Sequence, residues 1–204
     1  MSSSFPTQLS GNNFHFILNE NSKKLIIFFS AKDLAPKKFN FWQIGRDLDI
    51  NVLFLNNGQN EWYQRGIPDF GDTITDTIDK IKQWISALNI IETYTMGTSM
   101  GGYAAIQYGI ALNAKILAFA PDVILCDEHT KSKKFLLKGI TPVCSDLRTI
   151  IDNTKHTIDI MVGESDIEDL YSVSLLRKYK QVRITSLRDV DHFVPSSLTK
   201  KATL

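Results

Sequence analysis

One short stretch of this chain has a spacing with chemical meaning: Gly97-Thr98-Ser99-Met100-Gly101, a Gly-x-Ser-x-Gly run followed at once by Gly102. A serine held in a sharp turn between a strand and a helix has strained backbone angles, and the flanking glycines let neighbouring backbone pass close by. Its hydroxyl then stands at a helix N-terminus, where N–H groups and the helix dipole favour negative charge as it develops. The corresponding chemistry is nucleophilic attack by an activated hydroxyl on a carbonyl carbon. Glycine and serine are common loop residues, so the alternative is a tight turn with an incidental serine. The surrounding elements decide between the two.

Short apolar runs recur along the chain: Leu25–Phe29, Val52–Leu55, Tyr94–Met96, Ile116–Ala120, Ile158–Val162 and Val182–Leu187. Each is too short for a buried helix, and several carry β-branched or aromatic residues, so they read as strands. Their near-continuous apolar character suits a parallel sheet covered on both faces. Phe14, Phe16 and Leu18 alternate with His15 and Ile17 before the turn-like Asn19–Ser22, which predicts an antiparallel first strand. Between the runs, Ile74, Ile78, Ile81, Ile85 and Leu88 share one helical face, with Asp72 or Thr73 as its cap. A Gly/Ala-rich helix follows Ser99 as far as Leu112, and Leu170, Val173 and Leu176 mark a third helix. Strand and helix alternate, so the expected fold is α/β, a mostly parallel sheet of about seven strands with helices on both faces. The expected organisation is one domain over residues 1–204. Residues 56–71 form a long connection, and a short insertion or lid lies around 122–156. Ser99 thus falls between a strand and a helix, the context that gives its motif meaning.

Gly-Thr-Ser-Met-Gly-Gly resembles the nucleophile elbow of the α/β-hydrolase family, and the alternation of elements extends that resemblance over nearly the whole chain. The family's order is serine, then an acid after a later strand, then histidine after the last strand. Gly163-Glu164-Ser165-Asp166 resembles its acid loop, and Arg188-Asp189-Val190-Asp191-His192-Phe193 resembles its histidine loop. The resemblance implies a triad of Ser99, Asp166 and His192, with Asp169 as the alternative acid. Asp166 is equally well placed to cap the helix that carries Leu170. Of the four histidines, His15, His129 and His156 precede the last strand and only His192 follows it. The resemblance further implies an oxyanion hole from the N–H of Met100 and an N–H of the loop after Leu25–Phe29, where Ala31 is the positional match. That loop, Ser30-Ala31-Lys32-Asp33, departs from the family's His-Gly or Gly-Gly pattern. A single strand before Leu25, where full-length members have two, is a second departure.

Trp62, Tyr63 and Arg65 follow the Val52–Leu55 strand, at the carboxyl edge of the sheet where ligands bind in such folds. An aromatic pair beside an arginine can stack on a sugar or hold an anion; alternatively, the two rings pin a long loop to the core. The arrangement also resembles small hydrolase-like proteins associated with bacterial surface polysaccharides. The expected activity is cleavage of a carboxylic ester, small or glycan-linked, through an acyl-enzyme. An acyltransferase on the same triad, or a non-catalytic binding protein on a hydrolase fold, are the other readings. Composition narrows the rest. Lys+Arg 23 against Asp+Glu 22 leaves a net charge of +1, unlike a nucleic-acid binder. The lysines at 131, 133, 134 and 138 read as a solvated loop. Two cysteines without CxxC spacing suit a reducing, cytoplasmic setting, and the spacings imply no metal and no cofactor. The N-terminal residues show no secretory signal, and no apolar run reaches membrane-spanning length.

Overall fold

The computed structural model describes residues 9–202. Its strands are β1 (Phe14–Ile17), β2 (Lys24–Phe29), β3 (Asn51–Leu55), β4 (Glu92–Thr98), β5 (Lys115–Phe119), β6 (Ile158–Gly163) and β7 (Val182–Leu187). The longer helices are α2 (Ile74–Ala87), α3 (Met100–Ala111), α6 (Ile167–Ser174) and α7 (Val194–Ala202). Shorter turns of helix are α1 (Trp42–Gly45), α4 (Lys131–Phe135) and α5 (Arg148–Ile151). The strands form one sheet in the order β1-β3-β2-β4-β5-β6-β7. Every neighbouring pair is parallel except β1 with β3, so the alternation around Phe14 does mark an antiparallel edge.

The two-residue period of the strands divides the core. Leu25, Ile27, Phe29, Leu53 and Leu55 point to one face, where they pack against residues of α2, α3, α5 and α6. Phe28, Val52 and Phe54 point to the other, under Phe39, Phe41 and Trp42. Farther along that second face, Phe119 and Ala120 meet Val190 and Val194. Both faces are covered, which is why β2 and β3 carry consecutive apolar residues.

Two helices set the frame of the site. α2 starts at Thr73, whose hydroxyl accepts from the Asp76 N–H while the Asp76 carboxylate accepts from Thr73 N–H. It buries Thr77, Ile81 and Trp84. α3 is buried almost throughout, and its glycines are the reason. A Cβ at Gly101 would collide with the Phe29 carbonyl, and one at Gly109 with Ile116 and Thr95. The helix therefore lies close on the sheet, and its first residue sits directly above the carboxyl ends of β2 and β4.

The segment between β5 and β6 carries α4 and α5 and is tied back to the body. Tyr103 donates its hydroxyl to the Cys144 carbonyl, Cys144 N–H donates to Gln64 Oε1 at 3.0 Å, and Leu137 N–H donates to the Asn60 carbonyl at 2.8 Å. Cys126 and Cys144 are free thiols. Among the described residues no helix is long and apolar enough to cross a membrane.

Candidate active site

β4 ends at Thr98, and the chain turns at Ser99 with φ 55° and ψ −121°. A non-glycine residue held there costs on the order of 1–3 kcal/mol, a strain the surroundings must impose. They do so on both sides. Ser99 N–H donates to the Phe119 carbonyl at 2.8 Å, and Tyr103 N–H donates to the Ser99 carbonyl at 3.0 Å. A Cβ at Gly97 would strike the Gly101 backbone, so the turn closes only with glycine there. Ser99 is the N-cap of α3, yet its side chain makes no capping hydrogen bond. The hydroxyl is thus not used by the helix, and Ser99 lines a cavity of about 1040 Å³ at the carboxyl edge of the sheet. Met100 is the first helical residue, so its N–H has no partner within its own helix.

His192 lines the same cavity from the loop between β7 and α7. That loop is clamped to β6: Ser165 N–H donates to the Val190 carbonyl at 2.9 Å, and Gly163 has no room for a Cβ against Val190 and Asp191. Asp189 supplies the left-handed turn, φ 59°, and the Asp191 carboxylate accepts from Phe193 N–H at 2.9 Å. Among the described residues no hydrogen bond joins Ser99 to His192. In unliganded enzymes such a bond is often long and tightens only around substrate.

The acid facing His192 is Asp169. His192 Nδ1 and Asp169 Oδ2 are 2.7 Å apart, and since a carboxylate only accepts, Nδ1 carries the proton. This leaves Nε2 free to accept a proton. The Asp169 side chain is 2% exposed. The expectation that Asp166 orients His192 is corrected by the geometry of the helix start. Asp166 is the N-cap of α6, and its Oδ1 turns back to accept from Asp169 N–H at 3.0 Å. Its other oxygen pairs with Lys131 Nζ at 2.9 Å. The third helical position, Asp169, is the one that projects under the histidine loop. A cap followed three residues later by a second acid was visible in the sequence as Asp166-x-x-Asp169.

Lys131 was expected in a solvated loop; instead its side chain is 13% exposed and reaches Asp166, Glu168 at 3.3 Å and Asp169 Oδ1 at 3.4 Å. Burial opposes ionisation of Asp166, but the Lys131 ammonium and the Asp169 N–H outweigh it and hold its carboxyl below the usual range. Burial likewise opposes the Lys131 charge, and the carboxylates around it raise its pKa overall. The backbone of α4 is fixed by buried Asp122, which accepts from Lys131 N–H at 3.2 Å and Ser132 N–H at 2.7 Å. Burial pushes the Asp122 carboxyl above its ordinary range despite those bonds. Donor atoms of Asp166, Asp169 and His192 lie within 4.8 Å of one another. A divalent cation among them would meet the Lys131 ammonium, which already pairs with both carboxylates.

Three other expectations change. Trp62 and Tyr63 are not at the cavity: they are 1% and 0% exposed. The Tyr63 hydroxyl donates to the Ser30 carbonyl at 2.9 Å, and its ring meets Phe29 edge-on. They are loop anchors within the core. Arg65 is exposed and lies 3.7 Å from Glu61, away from the cavity. Ala31 does line the cavity, but its N–H already donates to Asn40 Oδ1 at 2.7 Å, so it is not a free oxyanion donor. The aromatic walls come from Phe39, Phe41, Trp42, Phe135 and Phe193. The Phe39-Asn40-Phe41-Trp42 run carries three of these rings, and it has neither strand nor helix period from which their position can be read.

No family model and no curated protein matches this chain. Solved structures do. The capsule O-acetyltransferase of Neisseria meningitidis serogroup A is 20% identical with a TM-score of 0.68, over 95% of this chain and 90% of that one. A carboxylesterase of the thaumarchaeon Nitrososphaera gargenis is 15% identical with a TM-score of 0.57, over 97% and 95%. An α/β serine hydrolase without a lid from Xanthomonas campestris is 15% identical with a TM-score of 0.55, over 98% and 92%. With its seven-stranded, mostly parallel sheet and these likenesses, this chain has the α/β-hydrolase fold.

Proposed function

We propose that the protein is a serine enzyme that cleaves carboxylic esters through an acyl-enzyme on Ser99. The observation that carries this reading is a strained, uncapped Ser99 sharing a cavity with His192, whose Nδ1–H is held by buried Asp169. As Ser99 Oγ attacks the ester carbonyl, its proton passes to His192 Nε2, and Asp169 stabilises the imidazolium that results. The negative charge developing on the carbonyl oxygen is met by Met100 N–H. Collapse of the tetrahedral intermediate breaks the bond to the alcohol, which takes the proton from His192. In the second half, His192 removes a proton from water, which attacks the acyl-enzyme and releases the carboxylic acid. Ser99 is then restored. Phe39, Phe41, Trp42 and Phe193 give the cavity apolar walls that suit an acyl chain or the face of a sugar ring.

A second reading, transfer of the acyl group to an alcohol other than water, is favoured by the likeness to the capsule O-acetyltransferase, which has a higher TM-score than the two esterase-type structures. The half-reaction that forms the acyl-enzyme is common to both. A series of p-nitrophenyl esters of increasing chain length, with and without added sugar alcohols, separates them. Hydrolysis unaffected by acceptor supports the esterase. Acceptor-dependent release of p-nitrophenol, with acylated sugar as product, supports the transferase. No turnover under either condition overturns both.

A further inference from the structure

The Ala31 N–H, the donor expected on the β2 side of the oxyanion site, is already engaged by Asn40. Asn40 lines the cavity together with Ala31 and Ser99, and it is held at both its backbone and its carboxamide. Its backbone N–H donates to Ser30 Oγ at 3.2 Å, and its Oδ1 accepts from Ala31 N–H at 2.7 Å. Because the group facing it is a backbone donor, the oxygen of the carboxamide has to be the atom turned toward Ala31. The amide nitrogen is therefore directed away from Ala31, and among the described residues neither of its two N–H groups has a protein partner. Ser30, its anchor, is 1% exposed and is itself held by donation of its N–H to the Leu55 carbonyl at 2.9 Å. Phe41, the next residue, takes a left-handed φ of 62° and stacks on Phe28, which fixes the chain on the other side.

We infer that the Asn40 carboxamide is a catalytic residue, an oxyanion donor that relays the Ala31 N–H by one amide width and offers Nδ2–H to the substrate oxygen opposite Met100 N–H. The two donors approach from different elements, Met100 from the start of α3 and Asn40 from the β2–α1 connection. A relay of this kind explains why Ser30-Ala31-Lys32-Asp33 works without a glycine: no bare backbone N–H has to reach the oxyanion from that loop. Polarisation of the carboxamide by the Ala31 N–H makes its N–H groups better donors.

This inference rests on the acyl-enzyme reading, and the experiment separates the two. Wild type, Asn40→Ala and Asn40→Asp are compared for kcat and KM on p-nitrophenyl acetate and for inhibition by a phenylboronic acid, which forms a tetrahedral adduct with a serine hydroxyl. Asn40→Ala is expected to lower kcat by about 10²–10³-fold, the loss typical of one oxyanion donor, with KM changed by less than about threefold. Boronate affinity should fall with kcat rather than follow KM. Asn40→Asp keeps the size and the acceptor for Ala31 N–H but puts an acceptor where the donor stood; it should be impaired at least as much, and it serves if the alanine variant does not fold. An Asn40→Ala variant as fast as wild type or faster would overturn the inference, because Ala31 N–H, once freed, would then be the true donor and Asn40 merely its cover. A wild type that neither cleaves ester nor binds boronate would overturn the acyl-enzyme reading and Asn40's role with it.

Discussion

Replacing Asp169 by asparagine should cost far more activity than replacing Asp166, and the reason lies in which atoms surround each carboxylate. Asp169 Oδ2 accepts from His192 Nδ1, while its Oδ1 lies 3.4 Å from Lys131 Nζ. An amide at this position has one acceptor for two neighbours that both donate. The ammonium takes the oxygen, because a cation attracts it more strongly than a neutral imidazole N–H does. The NH2 group then faces Nδ1, which must give up its proton and accept. His192 is left protonated at Nε2, the tautomer that cannot receive the Ser99 proton. Trapping the wrong tautomer lowers kcat by about 10⁴-fold in serine proteases, equivalent to about 5.4 kcal/mol of barrier. Asp166→Asn keeps a competent N-cap and loses its pairing with Lys131 at a partly exposed position, so less than about a tenfold loss is expected. The assay is kcat on a short-chain p-nitrophenyl ester, with thermal melting to show that both variants are folded. An Asp166→Asn variant more damaged than Asp169→Asn would refute the assignment of Asp169 to His192.

Trp62→Ala should destabilise the protein by about 3–5 kcal/mol, since the ring is buried. Whatever remains folded should keep its KM, and a selective KM change at unaltered melting temperature would return Trp62 to the substrate site. Lys131→Met removes the ammonium that holds the Asp166 carboxyl low. A carboxyl whose folded pKa is depressed stabilises the fold above its unfolded pKa, near 3.9, and that contribution is lost as pH falls through the folded value. The variant should therefore be less stable at neutral pH, by about 1–2 kcal/mol, and should lose less than wild type on acidification from pH ~5 to ~2. Parallel acid melting curves for the two would contradict the pairing. Asp122 behaves oppositely: its carboxyl is raised by burial, so its contribution is complete below the unfolded pKa and declines as pH rises through the folded one. Asp122→Asn should flatten that decline as pH rises above the unfolded carboxylate range in a melting series, and an unchanged slope would place the titration elsewhere.

The sheet was legible because β2, β3, β5 and β6 carry short apolar runs bounded by turns, the pattern that strands covered on both faces impose. α2 was legible from its isoleucine spacing, and the turn at Ser99 from glycines whose absent Cβ atoms let α3 lie on Phe29 and Ile116. The acid was not decided by spacing: Asp166 and Asp169 differ by one helical turn, and only the location of the α6 N-cap assigns one to the helix and the other to His192. Trp62 and Tyr63 misled because an irregular segment has no period from which burial can be read. Their rings are in the core although their backbone is in a loop, both at left-handed φ. Lys131 and Asn40 are positioned by tertiary contacts with Asp122 and Ser30 that no local pattern announces.

The most direct test of a Ser99 acyl-enzyme is intact-mass analysis after incubation with a fluorophosphonate, followed by peptide mapping. Wild type should gain one phosphonyl group, on the peptide containing Ser99, and Ser99→Ala should gain none. His192→Ala should react far more slowly, because the hydroxyl has lost its base. A label on another residue, or a Ser99→Ala protein that labels as wild type does, would contradict the assignment of the nucleophile.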